Sequence, residues 1–380
     1  MKICYLATAS SRATKRWVEY FANKGHEIDL ITFSYVNKAI RVPIPEKTYK
    51  NMKNVKLHKI RKRIYLDPIS IYKIRKIINK IKPDILHAHQ VTPYGVYGAL
   101  SGFHPFIASP WGSDIATLPE RSKILKFFVN FTLRRADLVN FYDKPTKERL
   151  IELGCDEQKL IFLNVTGVDT EKFSPQKRSK KLRKELGIED SYSVLNARHL
   201  EPHYNVDVFI KAIPHVLKEI ENIKFIVAGE GPEEEKLKEL AKRLGVREYI
   251  VFLCGVPHEE MPKYLASVDV YVESMKGSDK AGGGMGTTVL EAMACGTPLL
   301  LSERTYLRKY GKTMDDLRWF HGLVYEPLNY KDMAKKIVEL LKNRKLRKKL
   351  GRKSRKAAIE YGNWKKTAEE WEKIYYDLKP

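Results

Sequence analysis

Short apolar runs, each ending in a turn rich in glycine, serine or aspartate and followed by a helical stretch with one apolar side, recur along the whole chain. This alternation predicts parallel strands with helices packed on both faces, the doubly wound α/β arrangement. The opening residues show the unit. A strand is expected over 2–7, a helix over 14–24 with Trp17, Val18, Phe21 and Ala22 on one side, a stop at Gly25-His26, and a second strand over 28–33. Further strands are expected at 85–89, 106–109 and 138–142, with helices at 68–81, 124–135 and 145–153. The stretch 175–184 is polar and charged, and after it the pattern restarts with a strand over 194–197 and more at 225–228, 250–253, 268–273 and 299–301. Asn205 or Asp207 can cap a helix whose Val206, Phe209, Ile210, Ile213 and Leu217 share a face, and Pro214 is expected to kink it. Two α/β domains follow, which suits a length of 380 residues, more than one core usually serves.

In open α/β sheets ligands bind beyond the carboxyl ends of the strands. In the first half those ends carry Ser10, Ser11 and Arg12, then His89, then Trp111, Gly112, Ser113 and Asp114. His89 suits a cleft residue, and equally a strand cap bonded to backbone. In the second half the stretch 282–298 reads GGGMGTTVLEAMACGTP, a glycine-rich loop feeding a short helix. Glycines let the backbone pass close to a bulky ligand, and the helix aims unpaired N–H groups at the loop, an arrangement that holds phosphate. Glu291, one turn into that helix, can accept hydrogen bonds from paired ribose hydroxyls, or simply complement the helix dipole.

A formal net charge of +24 asks for an anionic partner, and the clusters Arg61-Lys62-Arg63, Arg134-Arg135 and the run 342–356 stand out. The last is expected to be a solvated helix face around Leu346 and Leu350. The lysine- and glutamate-rich composition suits a heat-adapted protein. Cys4, Cys155, Cys254 and Cys295 lie far apart without a CxxC pair, which predicts buried free thiols in a reducing compartment. The first apolar stretch is too short for a signal peptide and no run approaches a membrane span, so a cytoplasmic location is expected.

The motifs NARHLEP, FIVAGEGPEEEKL, FLCGVPHEEMPKYLASVDVYVES and GMGTTVLEAMACGTP occur in that order in the second half. Together with TKRWVEYFANKGHEIDLI, DILHAH, SPWGSD, ADLV and GVDTEKFSP in the first, they resemble the retaining glycosyltransferases of family 4 over nearly the entire chain. The resemblance implies the GT-B fold of two facing Rossmann-like domains. The first, 1–172, would hold the acceptor and be completed by a crossover helix over 364–380; the second, 173–363, would hold the donor.

It further implies that Glu291 binds the donor ribose and that Arg198 neutralises the diphosphate. Met285 and Gly286 would meet sugar and phosphate through backbone amides, with Thr287 and Thr288 at the helix start. Gly231 would line the same pocket, and Val256 and Pro257 would read the base. Acceptor-side candidates are Ser10, Ser11, Arg12, Trp111, Gly112 and Asp114, with His89 as a catalytic candidate. Three positions depart from the family pattern: Gly283 stands where the first glutamate of a pair belongs, Tyr204 where a lysine belongs, and Trp111 where a histidine is common. The loop 276–284, Gly284 included, is expected to fold over the donor, with Lys280 or Lys276 restoring the missing positive charge and Asp279 accepting from a hydroxyl.

The implied reaction moves a sugar from a UDP- or GDP-sugar to a glycan or lipid-linked acceptor with retention, in glycan, glycolipid or cell-surface polysaccharide synthesis. No cofactor is expected. The chain has no Asp-x-Asp, the common metal-diphosphate ligand set, so a metal-independent enzyme is expected. The basic segments of the first half would suit peripheral contact with an anionic membrane. Nucleic acid is not expected, because the basic clusters lack an interleaved aromatic motif. The competing readings are a GT-B sugar-nucleotide epimerase and a non-catalytic binding protein.

Overall fold

The computed structural model describes residues 1–33, 47–61, 67–276, 286–303 and 321–379. Two compact units divide them: Met1–Thr166 with the residues from Lys366 onward, and the residues between Gly167 and Lys365. The division falls before the charged stretch at 175–184 for a structural reason. Val168 donates to the Gly362 carbonyl at 2.8 Å, and Arg355 donates to the carbonyls of Thr170 and Phe173, each at 2.8 Å, so 167–173 is fastened into the second unit.

The first unit carries a seven-stranded parallel sheet made of β1 (Lys2–Leu6), β2 (Glu27–Phe33), β3 (Val55–Ile60), β4 (Ile85–His89), β5 (Phe106–Ser109), β6 (Leu138–Phe141) and β7 (Leu160–Phe162). Its order is β3-β2-β1-β4-β5-β6-β7, so the winding reverses between β1 and β4. The longer helices are α1 (Arg12–Asn23), α2 (Pro68–Ile81), α3 (Tyr94–Ser101), α4 (Lys123–Arg135) and α5 (Lys144–Glu152). Right-handed crossovers put α2, α3, α4 and α5 on one face and α1 on the other. Helix starts have local causes: the Asp67 carboxylate accepts from the Ile69 amide ahead of Pro68 at the first helical position, and Ser122 accepts from Ile124.

The second unit carries a six-stranded parallel sheet of β8 (Tyr192–Ala197), β9 (Ile223–Ala228), β10 (Ile250–Leu253), β11 (Val270–Glu273), β12 (Leu299–Ser302) and β13 (Leu323–Tyr325), in the order β10-β9-β8-β11-β12-β13. Its winding reverses between β8 and β11. The longer helices are α6 (Val206–Leu217), α7 (Glu234–Arg243), α8 (Met261–Ser267), α9 (Thr287–Ala294), α10 (Tyr330–Lys342) and α11 (Arg344–Tyr361). Helix α6 stays helical through Pro214, which lies in its last turn and removes a single backbone bond. Neither expected cap bonds the start of α6: Asn205 takes the left-handed region and receives the Lys276 amide instead, while Asp207 pairs with Lys211 at 2.8 Å.

The final helix, α12 (Trp364–Leu378), crosses back to the first unit. The Trp371 indole donates to the Asn164 carbonyl at 2.7 Å, the Tyr375 hydroxyl sits 2.6 Å from His87 Nδ1, and Glu372 pairs with His26 at 2.8 Å. The helix thereby completes an aromatic core with Tyr5, Trp17 and Phe21 on the α1 face. Of the four cysteines Cys4, Cys155 and Cys295 are buried free thiols, whereas Cys254 is exposed where β10 gives way to its loop. Among the described residues no helix is long and apolar enough to cross a membrane.

Candidate active site

Two parallel strands that leave a sheet in opposite winding directions open a crevice at their carboxyl ends. In the second unit those ends are Ala197-Arg198 and Glu273-Ser274. Arg198 donates from Nε to Glu273 Oε1 at 2.9 Å and from Nη2 to Oε2, a two-pronged ion pair across the switch point. The Tyr204 ring lies 5.3 Å from the guanidinium carbon. Burial alone would push the Arg198 pKa down; the charge and hydrogen bonds of Glu273, with Tyr271 and Tyr204 nearby, together outweigh it, so the net shift is upward and the guanidinium stays charged.

Backbone contacts fix this corner. Arg198 donates to the Ala228 carbonyl at 3.1 Å, Leu200 to that of Glu230 at 3.0 Å, and Glu233 back to Leu200 at 3.0 Å. The loops after β8 and β9 run so close that a Cβ on Gly229 or Gly231 would overlap the carbonyls of Arg198 or Leu200. A glycine is required at both places. Asn196 reaches Ser274 Oγ at 3.0 Å, Ser274 reaches the Tyr204 carbonyl at 2.7 Å, and the Tyr325 hydroxyl holds the Glu273 carbonyl at 3.2 Å.

The N-terminus of α9 meets the same corner. A Cβ on Gly286 would come within about 3 Å of the Arg198 guanidinium. Gly286 accepts from Val289 at 2.9 Å, while the amides of Thr287 and Thr288 find no acceptor among the described residues. One turn on, the buried Glu291 takes its Oε1 to His258 Nε2 at 2.8 Å. His258 in turn has Lys172 Nζ 3.5 Å from Nδ1 and the Phe173 ring at 5.4 Å. The second Glu291 oxygen makes no bond among the described residues.

So Arg198, Tyr204, Gly231, Gly286, Thr287, Thr288 and Glu291 gather around the switch point of the second sheet, with Val256 and exposed Pro257 just before His258. Gly283, Gly284, Met285, Asp279 and Lys280 lie outside the described residues; Lys276 is exposed. Sequence reasoning missed Glu273 and His258. The signal for Glu273 was a carboxylate closing an otherwise apolar strand, and for His258 its place directly after the Val256-Pro257 pair.

In the first unit the switch point has Ser10, Ser11 and exposed Arg12 after β1 and Gln90 after β4. Asp114 is buried and both its oxygens are spent on backbone, Oδ2 on the Val91 amide at 2.7 Å and Oδ1 on the Trp111 amide at 2.9 Å. It staples the ends of β4 and β5 beside Gly112, whose φ of 114° few side chains tolerate. Burial raises its pKa to about 6 against those backbone bonds. His89 is sealed among Tyr5, Trp17, His87 and Trp111, with ring centroids 4.8–5.5 Å away. Burial lowers its pKa to about 3, and neither ring nitrogen has a partner. The enclosed imidazole packs among these rings and makes no strand-capping bond to backbone, and His89 stays a catalytic candidate of the resemblance only.

Comparison with known proteins places both units among sugar-transferring folds. The family model described as Glycosyl transferases group 1 matches residues 178–357, and that described as Glycosyl transferase 4-like matches 2–142. Each model covers under half of the chain, and the two together support a family-4-type glycosyltransferase of GT-B fold. The chain is 28% identical over 242 residues to the GDP-mannose-dependent alpha-(1-6)-phosphatidylinositol monomannoside mannosyltransferase of Mycolicibacterium smegmatis, 62% of each chain. It thus matches about three fifths of that relative's length. To the N-acetyl-alpha-D-glucosaminyl L-malate synthase of Bacillus anthracis it is 23% identical, over 94% of its own chain and 91% of the other. The structure of Anabaena Alr3699/HepE in complex with UDP superimposes with a TM-score of 0.80 at 16% identity, covering 100% of both chains. That likeness shows the fold, an α/β fold of the GT-B kind.

Proposed function

We propose that this protein transfers a sugar from a nucleoside-diphosphate sugar to an acceptor hydroxyl, with retention at the anomeric carbon and without a metal. One observation carries the reading: Arg198, the amide-bearing start of α9 and Glu291 converge on the switch point of one sheet. The free Glu291 oxygen receives the ribose hydroxyls while His258 holds the other. Arg198 and the amides of Thr287 and Thr288 take the charge that builds on the leaving diphosphate. The acceptor oxygen bonds to the anomeric carbon on the face that the phosphate leaves, and the hydroxyl proton passes to the departing phosphate oxygen. Positioning and charge stabilisation are then the protein's whole contribution. Ser10, Ser11, Arg12, Trp111 and Gly112 are the acceptor-side candidates, and the name of the mycobacterial relative, with GDP-mannose and phosphatidylinositol monomannoside in it, supports a nucleotide-sugar donor and a lipid-linked acceptor.

Calorimetric titration of UDP, GDP and ADP into the wild type and Glu291→Ala tests this. Binding of one nucleotide, lost in the variant, is the expected result. No binding by any of the three at millimolar concentration would overturn it. Net release of the free nucleoside diphosphate only when acceptor is present separates transfer from epimerisation.

A further inference from the structure

Large apolar side chains are costly to leave in water, so where they gather on a surface they call for a partner. Among the described residues of the first unit, seven large hydrophobic side chains are exposed, and four of them, Ile69, Tyr72, Ile124 and Phe127, fall in the first two turns of α2 and α4. They are 52%, 66%, 68% and 62% exposed. Each pair is spaced three residues apart, so each lies on one side of its helix.

Both helices pack against the short, buried α3, which places them on the same face of the sheet. Each also descends from the carboxyl edge of a parallel strand, α2 after β3 and α4 after β5, so their first turns share the rim where the switch point opens. The apolar residues do not stand alone. Helix α2 bears Lys73, Arg75, Lys76 and Lys80, all exposed, and α4 bears Lys123, Lys126, Arg134 and Arg135, also exposed; neither helix has a single Asp or Glu.

We propose that the first turns of α2 and α4 are the face on which this protein docks onto an anionic lipid surface. Ile69, Tyr72, Ile124 and Phe127 enter the boundary between headgroups and acyl chains, and the cations near them, Lys73, Lys76, Lys123 and Lys126, meet lipid phosphates. Charge complementarity selects this partner. A nucleic acid would use the cations and leave Ile69 and Ile124 in water, and a second copy of a chain with charge +24 would bring like charge to like. The basic helix α11 shows what a merely solvated run looks like here: Lys345, Lys349 and Lys353 are exposed, but Leu346 and Leu350 are half-buried against the unit's own core. That a lipid-linked acceptor would reach the rim from this face rests on the transferase reading; the docking does not.

The test is co-sedimentation of the full-length protein with phosphatidylcholine vesicles, with and without about 30% phosphatidylglycerol, at physiological ionic strength. The wild type is expected to bind the anionic vesicles and not the zwitterionic ones. Ile124→Ser with Phe127→Ser, and separately Ile69→Ser with Tyr72→Ser, should each weaken binding at least tenfold. Lys345→Ser, Lys349→Ser and Lys353→Ser together, which remove positive charge from α11, should leave it unchanged. All these side chains are exposed, and matching melting temperatures confirm folding. Failure of the wild type to bind, or an equal loss from the α11 variant, overturns the proposal. Nucleotide titration of the same preparations reports on the transferase reading independently.

Discussion

Replacing Glu273 by Gln should make the protein bind nucleoside diphosphate more tightly, although it removes half of a buried ion pair. The Glu273 carboxylate occupies the Nε and Nη2 edge of Arg198, which leaves Nη1 without a hydrogen bond among the described residues. A phosphate bound there would lie about 8 Å from the carboxylate, where two unit charges repel by roughly 2 kcal/mol at an effective dielectric of about 20. Removing the carboxylate charge should therefore tighten binding about 30-fold. The same change leaves a nearly buried guanidinium with one acceptor instead of a charged partner, and should cost up to about 3–5 kcal/mol of stability. Calorimetry with UDP and GDP gives the affinity, and melting with and without nucleotide gives the linked stability, with the larger ligand-induced rise in the variant. Unchanged or weaker binding in a folded Glu273→Gln protein would refute the reasoning, because no phosphate would then sit against Arg198.

His258→Ala should weaken nucleotide binding about fivefold, roughly 1 kcal/mol for a lost bond that orients Glu291, measured by the same titration. Gly229→Ala forces the β8 and β9 loops apart and should cost about 1–3 kcal/mol in urea unfolding, with a loss of nucleotide affinity as Arg198 shifts. Stability should fall as pH drops below about 6.5, since His87 and His89 are held neutral by burial in the folded chain and charge on unfolding. His89→Phe should flatten that acid limb in melting curves taken between pH 7 and 4. Asp114 has the opposite sign. Its folded pKa of about 6 lies above the unfolded value of about 3.9, so its contribution declines as pH rises between those values, and the histidine limb should steepen in Asp114→Asn.

Helices with a strong local stop and start could be read from the sequence almost to the residue. Pro68–Ile81 has its Asp67 cap and Pro68 in place, and Trp364–Leu378 carries an unbroken apolar stripe. The strand Val55–Ile60 was hidden, because an edge strand with Lys56, His58 and Lys59 reads as a basic segment when its partner β2 is unknown. The helix Tyr94–Ser101 was hidden for the reverse reason: buried on nearly every side, it shows no polar face to give a period. Arg198, Glu291 and the glycines were legible because loop chemistry is local. Glu273 and His258 act through partners 75 and 33 residues away, and only the parallel registers of β8 with β11, and the packing of α9, bring them together.

The return of α12 to the first unit has a consequence for biosynthesis. Trp371, Glu372 and Tyr375 supply the cover for Trp17, His26 and His87, yet they are translated some 200 residues after the rest of that unit. At a synthesis rate of about 5–20 residues per second the gap lasts roughly 10–40 s. For that interval the nascent first unit carries an uncovered aromatic groove, a ready target for holdase chaperones and a route to aggregation when they are scarce. An N-terminal fragment ending near Thr166 should express poorly on its own, and supplying the α12 sequence as a separate peptide should rescue it.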